Sequence, residues 1–257
     1  MGNKLNEIKP NISIIIATYN SASNIQTCLL NIINQDYQDW ECIIVDGNSS
    51  DDTISIVKSF ITIDSRIRYI SETDNGIYDA FNKGYKLAKG KWIYYLGSDD
   101  LIFENALSKL INKKADNSDI LYGNISIKFP NHSFLLHKPY NPCKLRFFMF
   151  SNHQSIIMKR EIIDSMNGFD TNYKVAADYD LLQRCYLSGY IFEYIPETIA
   201  QFSYSGISSK FEFKQELEIY YINKKNSSNP CPLFFFLLYE LKHFLGYIVK
   251  KYIKRCI

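Results

Sequence analysis

Apolar, β-branched runs alternate with segments of helical periodicity over roughly the first hundred residues, which is the pattern of βαβ units. The predicted strands cover residues 12–17, 41–45, 66–71 and 91–96. The predicted helices cover residues 23–33, 50–60 and 76–88, and Gly90 is expected to cap the last of them. The sequence therefore predicts an α/β, Rossmann-like fold with a mostly parallel central sheet flanked by helices.

Beyond residue 100 the pattern is less regular, and the predicted elements are more widely spaced. We expect a strand-pair region at 119–129, a short strand at 155–158, an amphipathic helix at 178–188, a Gly/Ser-rich loop at 203–209 and a linker at 223–232. These changes divide the chain into an N-terminal tail (1–9), two halves of one globular unit (10–100 and 101–210) and a C-terminal helical tail (211–257).

Composition narrows the class of protein. Among the 257 residues, 46% are hydrophobic and 22% are charged, which is typical of a globular protein and excludes disorder. The formal net charge of +2 gives no overall field for nucleic acid, so no nucleic-acid partner is expected.

The six cysteines lack a C-x-x-C spacing, and we expect Cys28, Cys42 and Cys185 to be buried free thiols. The polar N-terminus carries no apolar signal segment, so cytoplasmic folding is expected.

Polar or acidic side chains follow each of the four predicted strands. They are Thr18-Tyr19-Asn20, Asp46 to Ser49, Asp74-Asn75 and Asp99-Asp100. The carboxyl ends of parallel strands meet at one edge of a sheet, where open α/β folds bind their ligands. The chain has neither G-x-G-x-x-G after the first strand nor a P-loop motif, which excludes the usual dinucleotide and P-loop sites. Asp99 and Asp100 can instead hold a hard divalent cation that binds a diphosphate.

Three of these strand-end segments, residues 14–20, 43–53 and 97–100, closely resemble the family 2 glycosyltransferases of the GT-A fold. Further segments resemble family members of bacterial polysaccharide and O-antigen synthesis, namely 74–84, 153–155, 168–170, 177–181 and 205–208. The resemblance covers roughly residues 10 to 210 in the family's order. It implies an inverting transfer of a sugar from a nucleotide diphosphate, taken as a UDP-sugar, to a bacterial glycan. The C-terminal tail described below would suit an acceptor carried on a lipid such as polyprenyl diphosphate. Residues 10–100 would bind the donor, and residues 101–210 would bind the acceptor.

The resemblance assigns the first three strand ends to the donor nucleotide. Thr18, Tyr19 and Asn20 would border the base and ribose, and Asp46 would accept a hydrogen bond from the base. Asp74 and Lys83 would line the donor pocket, where Lys83 would counter the diphosphate charge. Many family members carry Arg where this chain has Phe81, so Lys83 or a C-terminal basic residue would have to replace that Arg.

The fourth strand end resembles the family's D-x-D metal motif. Ser98, Asp99 and Asp100 occupy this place, and Asp99 would bind Mn²⁺ or Mg²⁺. Gly97 stands where the first acid is expected. Water and substrate phosphate oxygens are therefore expected to complete the coordination shell.

The resemblance assigns to Asp178 the role of the general base that takes the proton of the acceptor hydroxyl. In the family this base lies in an E-D-x-x-L segment at the start of a helix, and here the segment reads Ala177-Asp178-Tyr179-Asp180-Leu181. Asp180 is expected to face elsewhere, because two residues turn about 200° around a helix. One base without a second carboxylate nucleophile fits direct displacement with inversion. His153 and Gln154 resemble a pair on the acceptor and diphosphate side.

The C-terminal tail combines an apolar segment, residues 233–249, with the basic residues Lys250, Lys251, Lys254 and Arg255. The segment is shorter than a spanning helix of about 20 apolar residues. We expect it to lie on the anionic inner leaflet, so that the protein is peripherally associated with the cytoplasmic membrane. The alternative is a helix that packs on the catalytic domain or on a second subunit of a homo-oligomer.

Two other functions remain open at this point. A sugar nucleotidyltransferase shares a similar nucleotide-binding half, but it would carry a Gly-rich, basic loop after the first strand, where this chain has Thr18-Tyr19-Asn20. A non-catalytic module that binds a nucleotide-sugar or a glycan is compatible with the loss of an acid at Gly97. Replacing Asp178 separates an enzyme from such a module.

Overall fold

The computed structural model describes residues 9–204, 212–226, 231–234 and 237. Within this part of the chain the strands are β1 (Ile12–Thr18), β2 (Trp40–Asp46), β3 (Ile67–Ser71), β4 (Trp92–Gly97), β5 (Leu101–Ile102), β6 (Ile120–Lys128), β7 (Phe134–His137), β8 (Ile156–Lys159) and β9 (Phe192–Ser203). The α-helices are α1 (Ile25–Ile33), α2 (Thr53–Ile63), α3 (Ile77–Leu87), α4 (Ala106–Lys113), α5 (Arg160–Ser165), α6 (Ala177–Leu187) and α7 (Glu212–Lys225). Two 3₁₀ turns cover Pro142–Arg146 and His153–Ser155.

All nine strands join one sheet in the order β3-β2-β1-β4-β8-β6-β9-β5, with β7 paired to β6 beyond the end of β8. Strands β1 to β4 are parallel, as the βαβ pattern predicts. The second half adds antiparallel pairings of β8 with β4 and β6, and a parallel pairing of β6 with β9. The predicted α/β fold with helices on a central sheet is confirmed, and the sheet is mixed beyond β4.

The first strand is buried on both faces, which explains its nearly continuous apolar run, with only Ser13 polar before Thr18. Ile15 and Ala17 pack into one hydrophobic cluster with α3 and α6. Ile12, Ile14 and Ile16 pack into a second cluster with α1, α2 and α4. The expected buried thiols are also confirmed, since Cys28, Cys42 and Cys185 lie within these clusters. This core holds the carboxyl ends of β1 to β4 at one edge.

The predicted cap at Gly90 is wrong. Helix α3 ends at Leu87, and the next residue, Ala88, is already extended (φ −63°, ψ 141°). Gly90 is needed for a different reason, because a Cβ atom there would lie 2.6 Å from the backbone nitrogen of Ser13. The absence of a side chain lets the connection into β4 pass directly against β1.

The predicted linker at 223–232 is wrong at its start, because residues 223–225 form the last turn of α7. Asn223 is buried, and its Oδ1 accepts hydrogen bonds from Tyr179 Oη and Gln183 Nε2, each at 2.8 Å. A polar side chain is therefore buried here to fasten α7 to α6. The remainder of this predicted linker is described only at residues 226, 231 and 232.

Two predicted features fall largely on residues that the structure does not describe. They are the loop at 203–209, of which only residues 203 and 204 are described, and the apolar and basic tail segment at 233–257, of which only residues 233, 234 and 237 are described. Within the described residues, no helix combines the length and the apolar character that crossing a bilayer requires.

Candidate active site

An exposed aromatic ring and a carboxylate meet at the loops that follow β1, β2 and β3. Tyr19 is 65% exposed, and Gly47 lies beside it. A Cβ atom on Gly47 would be 3.3 Å from Tyr19 Cδ2 and 2.7 Å from Asp74 Oδ2, so a side chain there would displace that carboxylate. A flat ring that can stack and a carboxylate that can accept an N–H are suitable groups for binding a nucleobase.

The loop after β1 is fastened to its neighbours by hydrogen bonds. The backbone N–H of Asn20 donates to Ser49 Oγ (2.8 Å), and the backbone N–H of Ser50 donates to Asn20 Oδ1 (2.9 Å). Asn20 adopts the left-handed conformation (φ 47°), which Asn tolerates better than most residues. On the other side, Ser98 Oγ donates to Ser21 Oγ at 2.8 Å. Asn20 and Ser98 thus link the loop after β1 to the loops after β2 and β4 at this edge of the sheet.

Asp46 lies at the end of β2 and has no exposed surface. Its carboxylate accepts hydrogen bonds from the backbone N–H and the hydroxyl of Ser49 and from the hydroxyl of Ser71. In this conformation Asp46 joins the loops after β2 and β3, and its contact with a base stays a prediction. Thr18 is also buried, and its Oγ1 has no hydrogen-bond partner among the described residues.

Two carboxylates converge beside Gly97 at the end of β4. A Cβ atom on Gly97 would lie 3.0 Å from Asp100 Oδ2 and 3.1 Å from Asp99 Oδ1, so both oxygens border the space that a side chain at position 97 would fill. The N–H of Gly97 donates to Asp100 Oδ2 at 2.8 Å. Burial and the adjacent charge of Asp99 raise the pKa of Asp100 to about 7. A cation beside these two carboxylates would therefore be strongly favoured electrostatically.

His153 and Gln154 join this acid pair to the predicted base. Gln154 Nε2 lies 3.5 Å from Asp100 Oδ1, and His153 Nδ1 lies 3.5 Å from Asp178 Oδ2. Burial lowers the pKa of His153, but hydrogen bonding to Asp178 and the charges of Asp178 and Asp100 outweigh it, so the net shift of this pKa is upward. The loop after β4 and the start of α6 therefore belong to one polar cluster.

Asp178 is oriented by groups from two elements. The hydroxyl of Tyr78 on α3 lies 3.0 Å from Asp178 Oδ1, to which it donates, and the backbone N–H of Tyr179 donates to the same oxygen at 2.9 Å. Asp180 faces away, as predicted, because it is fully buried and pairs with Arg184 at 2.8 Å. Asp178 is thus the partly exposed acid of this segment, with Oδ2 directed toward His153.

His153 is expected to make folding stability depend on pH. Because its folded-state pKa is raised, the contribution of this proton to stability is fully present below the unfolded-state pKa of about 6.5. That contribution is lost as the pH rises through the folded-state pKa, which lies above this value. We therefore expect His153→Asn to lower the free energy of unfolding more at about pH 5.5 than at about pH 8.5, in urea titrations without divalent cations. An equal loss at both pH values would contradict the pairing with Asp178.

A carboxylate on α7 holds the turn that leads into α6. Glu218 is buried, and it accepts hydrogen bonds from the backbone N–H groups of Lys174, Val175 and Ala176, each at 2.9 Å. A carboxylate at a helix N-terminus also interacts favourably with the helix dipole. Glu218 lies 40 residues after Asp178 in the sequence, and no motif marked it as a site residue. We interpret Glu218 as a positioning residue for Asp178.

Glu218→Ala is expected to lower the free energy of unfolding by about 3 kcal/mol, because it leaves one buried and two partly buried N–H groups unpaired. The loosened turn should also lower kcat by about tenfold while the donor KM changes little. Glu218→Gln, which keeps one carbonyl oxygen, should restore part of both losses. Gln215→Ala, on the same helix, is the control. Urea unfolding and steady-state kinetics measure the two effects, and an unchanged kcat in Glu218→Ala would contradict the positioning role.

Lys83 is already paired with acids of the protein. Its Nζ lies 3.0 Å from Glu72 and 3.5 Å from Asp79, and it donates to the carbonyl of Thr73. The structure therefore gives Lys83 a role in holding the turn before α3, and its contact with a diphosphate stays a prediction. Phe81 is buried, with its ring 6.0 Å from that of His153, and forms an apolar wall of the cluster.

The sequence of this site can be compared with known families. The sequence model of the family described as Glycosyl transferase family 2 matches residues 13–169, which include all but the first residue of β1, the strands β2 to β4, and Asp99, His153 and Gln154. This chain belongs to glycosyl transferase family 2. The resemblance carried by the strand-end segments is thereby confirmed, and the protein is a glycosyltransferase.

Relatives of this glycosyltransferase include a "PGL/p-HBAD biosynthesis glycosyltransferase" from Mycobacterium bovis. It is 31% identical over 215 residues, which are 81% of this chain and 83% of that protein. An uncharacterised glycosyltransferase from Rickettsia prowazekii is 31% identical over 191 residues, or 69% of this chain and 59% of that protein.

Two solved structures share the fold of this glycosyltransferase. S. aureus TarS 1–349 in complex with UDP-GlcNAc has a TM-score of 0.63 and 19% identity, over 82% of this chain and 66% of that chain. The mannosyltransferase PcManGT from Pyrobaculum calidifontis, in complex with GDP-Man and Mn²⁺, has a TM-score of 0.67 and 18% identity, over 86% of this chain and 65% of that chain. Our chain thus spans about two thirds of each, and the likeness confirms the GT-A fold.

Proposed function

We propose that this family 2 glycosyltransferase is metal-dependent and inverting, and that it transfers a sugar from a UDP-sugar to a lipid-linked glycan in cell-surface polysaccharide synthesis. The observation that carries the proposal is the polar cluster of Asp99, Asp100, His153, Gln154 and Asp178. In this cluster a site suited to the donor diphosphate adjoins a carboxylate suited to the acceptor hydroxyl.

The donor side is supported by the corner between Tyr19 and Asp74. A uracil ring presents a flat face that can stack on an exposed tyrosine. Its imide N–H can donate a hydrogen bond to a carboxylate. Among proteins of this fold, TarS is described with UDP-GlcNAc and PcManGT with GDP-Man. We take UDP as the nucleotide, as the resemblance implies. The aromatic and acidic pair would also suit guanine, which has a flat ring and an N–H donor, and the donor screen below separates the two bases.

The residues at the end of β4 fit a hard divalent cation. Two carboxylate oxygens border the space above Gly97, and oxygen ligands are those that Mg²⁺ and Mn²⁺ prefer. Within the described part of the chain, no group of three or more His, Cys, Asp or Glu could hold a metal ion. Asp99, with Asp100 beside it, would therefore share the ion with diphosphate oxygens and water. A bound Mn²⁺ or Mg²⁺ would supply charge stabilisation to the departing diphosphate.

Asp178 acts as the general base in this proposal. The acceptor hydroxyl gives its proton to the carboxylate while its oxygen forms a bond to the anomeric carbon of the donor sugar. The bond from that carbon to the diphosphate oxygen breaks, and its electron pair leaves with the diphosphate. Tyr78 and the N–H of Tyr179 hold Asp178 Oδ1, so Oδ2, the oxygen that lies beside His153, would accept the proton. Attack from the side opposite the diphosphate inverts the anomeric centre.

The acceptor side would be formed by His153, Gln154 and the second half of the chain. The proposal of a lipid-linked acceptor includes a peripheral association with the cytoplasmic membrane through the C-terminal tail. A tail that packs on a second subunit is the alternative outcome for that segment. Family membership favours glycosyl transfer over a sugar nucleotidyltransferase and over a non-catalytic binding module.

A panel of nucleotide-sugars, screened by thermal unfolding with and without Mn²⁺, tests the donor side of this proposal. We expect UDP-sugars to raise the Tm only when Mn²⁺ is present, because binding to the folded state stabilises it by mass action. The matching GDP- and CDP-sugars are the control for the base. Stabilisation that does not depend on the metal would contradict the role of Asp99. Transfer with retention of anomeric configuration, read by NMR of the product, would contradict inversion.

A further inference from the structure

Strand β7 and the segment after it expose a group of large apolar side chains, which we name the hairpin patch. Its members are Phe134, Leu135, Leu136, Tyr140 and Phe148, which are 60%, 51%, 52%, 52% and 42% exposed. Tyr140 and Phe148 adjoin the end of the strand, because the ring of His137, the last residue of β7, contacts the ring of Tyr140, which in turn contacts the ring of Phe148. Contiguous exposed apolar surface of this kind marks an interaction site in soluble proteins.

The patch is apolar on both faces of an edge strand. Successive side chains of a strand point to opposite faces, so Phe134 and Leu136 share one face and Leu135 lies on the other. Strand β7 pairs with β6 alone among the described strands. The apolar side chains on both faces of β7 are more than half exposed, so no described residue covers either face as an interior strand is covered.

The stretch of chain that carries the hairpin patch has charges of one sign only. Residues 120–160 contain no Asp or Glu. Within this stretch, Lys138, Lys144 and Arg146 are exposed and Lys128 is half-buried, and all four flank the patch in sequence. The residues of β9 that run beside the outer end of β6 are Gln201, Phe202 and Ser203, which add no acidic group.

We propose that the hairpin patch is a membrane-docking surface that recognises anionic phospholipid. Exposed Leu and Phe side chains can enter the boundary between headgroups and acyl chains, while Lys and Arg interact with lipid phosphates. Charge complementarity favours this occupant over a second copy of the chain. A symmetric dimer formed through two β7 edges would bring two sets of cations together without an acid from either stretch.

The hairpin patch is connected to the predicted base through buried contacts. Leu145 lies in the same segment, is fully buried, and its carbonyl accepts hydrogen bonds from Tyr179 Oη and Gln183 Nε2 on α6. The backbone N–H of Tyr140 also donates to Phe150 O, three residues before His153. Docking would therefore hold the acceptor side of the cluster close to the lipid surface. Only this last consequence rests on the proposed function, because lipid binding needs no sugar transfer.

Vesicle co-sedimentation of the full chain, without donor or metal, tests the proposal. We expect binding to vesicles of equal parts phosphatidylglycerol and phosphatidylcholine, and little binding to phosphatidylcholine alone. Lys138→Glu/Lys144→Glu should weaken binding by about 25-fold or more, at about fivefold for each cation removed. Leu135→Ser/Leu136→Ser should weaken it by at least about tenfold. The control, Lys58→Glu/Ile63→Ser on the exposed face of α2, should bind like the wild type.

Other results would overturn the proposal. If both hairpin variants bind like the wild type while Lys250→Glu/Lys251→Glu abolishes binding, the tail carries the membrane contact and the patch does not. If light scattering without vesicles shows a dimer that Leu135→Ser/Leu136→Ser dissociates, a second copy occupies the patch. Thermal unfolding confirms that the variants are folded, and the lysine variant, which changes exposed side chains only, keeps the test valid if the leucine variant does not fold. Loss of transfer with normal vesicle binding would count against the proposed function alone.

Discussion

Asp178→Asn is expected to lower kcat by about 10²–10⁴-fold while the affinity for the donor stays within about twofold. A general base contributes a rate factor of this size, and an amide cannot accept the proton of the acceptor hydroxyl. The substitution keeps the shape of the side chain, and the hydroxyl of Tyr78 can still donate to its oxygen. Steady-state kinetics and calorimetric binding of UDP with Mn²⁺ measure the two quantities.

Asp116→Asn is the matched control for this experiment, because it makes the same chemical change at an exposed position outside the cluster. It should leave kcat and donor affinity unchanged. If Asp178→Asn retained more than about a tenth of the wild-type kcat, another group would have to accept the proton. If it lost donor binding in parallel with kcat, Asp178 would belong to the donor site instead.

Asp99→Asn is expected to weaken Mn²⁺ binding and to lower kcat/KM by about a hundredfold. The reason is that metal charge stabilisation of the leaving group contributes several kcal/mol, and a neutral amide holds the cation less well than a carboxylate. Raising the Mn²⁺ concentration should recover part of the lost rate. The measurement is kcat/KM as a function of Mn²⁺ concentration, in parallel for the variant and the wild type.

The control for Asp99 is Glu104→Gln, an exposed acid just beyond β5. This variant should show the wild-type dependence on Mn²⁺. A metal dependence that is unchanged in Asp99→Asn would contradict the proposed site, and it would direct attention to other ligands. A rate that never required the metal would contradict metal-dependent transfer as a whole.

The first half of the fold could be predicted because β1, β2 and β4 are buried on both faces, which leaves nearly continuous apolar runs in the sequence. Strand β3 is only partly buried, and its apolar residues are interrupted by Arg68 and followed by Ser71. Strand β9 could not be predicted, since its residues Glu193, Pro196 and Glu197 interrupt the alternation. The structure places Pro196 within an irregularity of the β6–β9 register, where a residue without an N–H is tolerated. Helix α7 was partly missed because buried polar side chains such as Asn223 resemble a linker.

The residues of the candidate site also divide into those that the sequence predicts and those that it does not. Asp99 and Asp178 are assigned from the order of the motifs that resemble the family, and their roles stay predictions. Glu218 could not be assigned from the sequence, because a carboxylate that caps a turn from a distant helix leaves no local pattern. The positions Asp79 and Lys83 carry the i,i+4 spacing of a helical ion pair, and this local signal describes Lys83 in the structure better than the predicted diphosphate contact.

Paramagnetic broadening by Mn²⁺ tests most directly whether Asp99 and Asp178 belong to one site. His153 is placed between them by its contact with Asp178 and its electrostatic interaction with Asp100, so its imidazole reports on a cation held at Asp99. In NMR spectra of the protein with UDP, we predict that small additions of Mn²⁺ broaden the His153 signals before those of His132 and His137. Addition of Mg²⁺ should abolish this broadening, and so should the substitution Asp99→Asn. Sharp His153 signals in a protein with Mn²⁺ and UDP bound would show that the cation lies elsewhere.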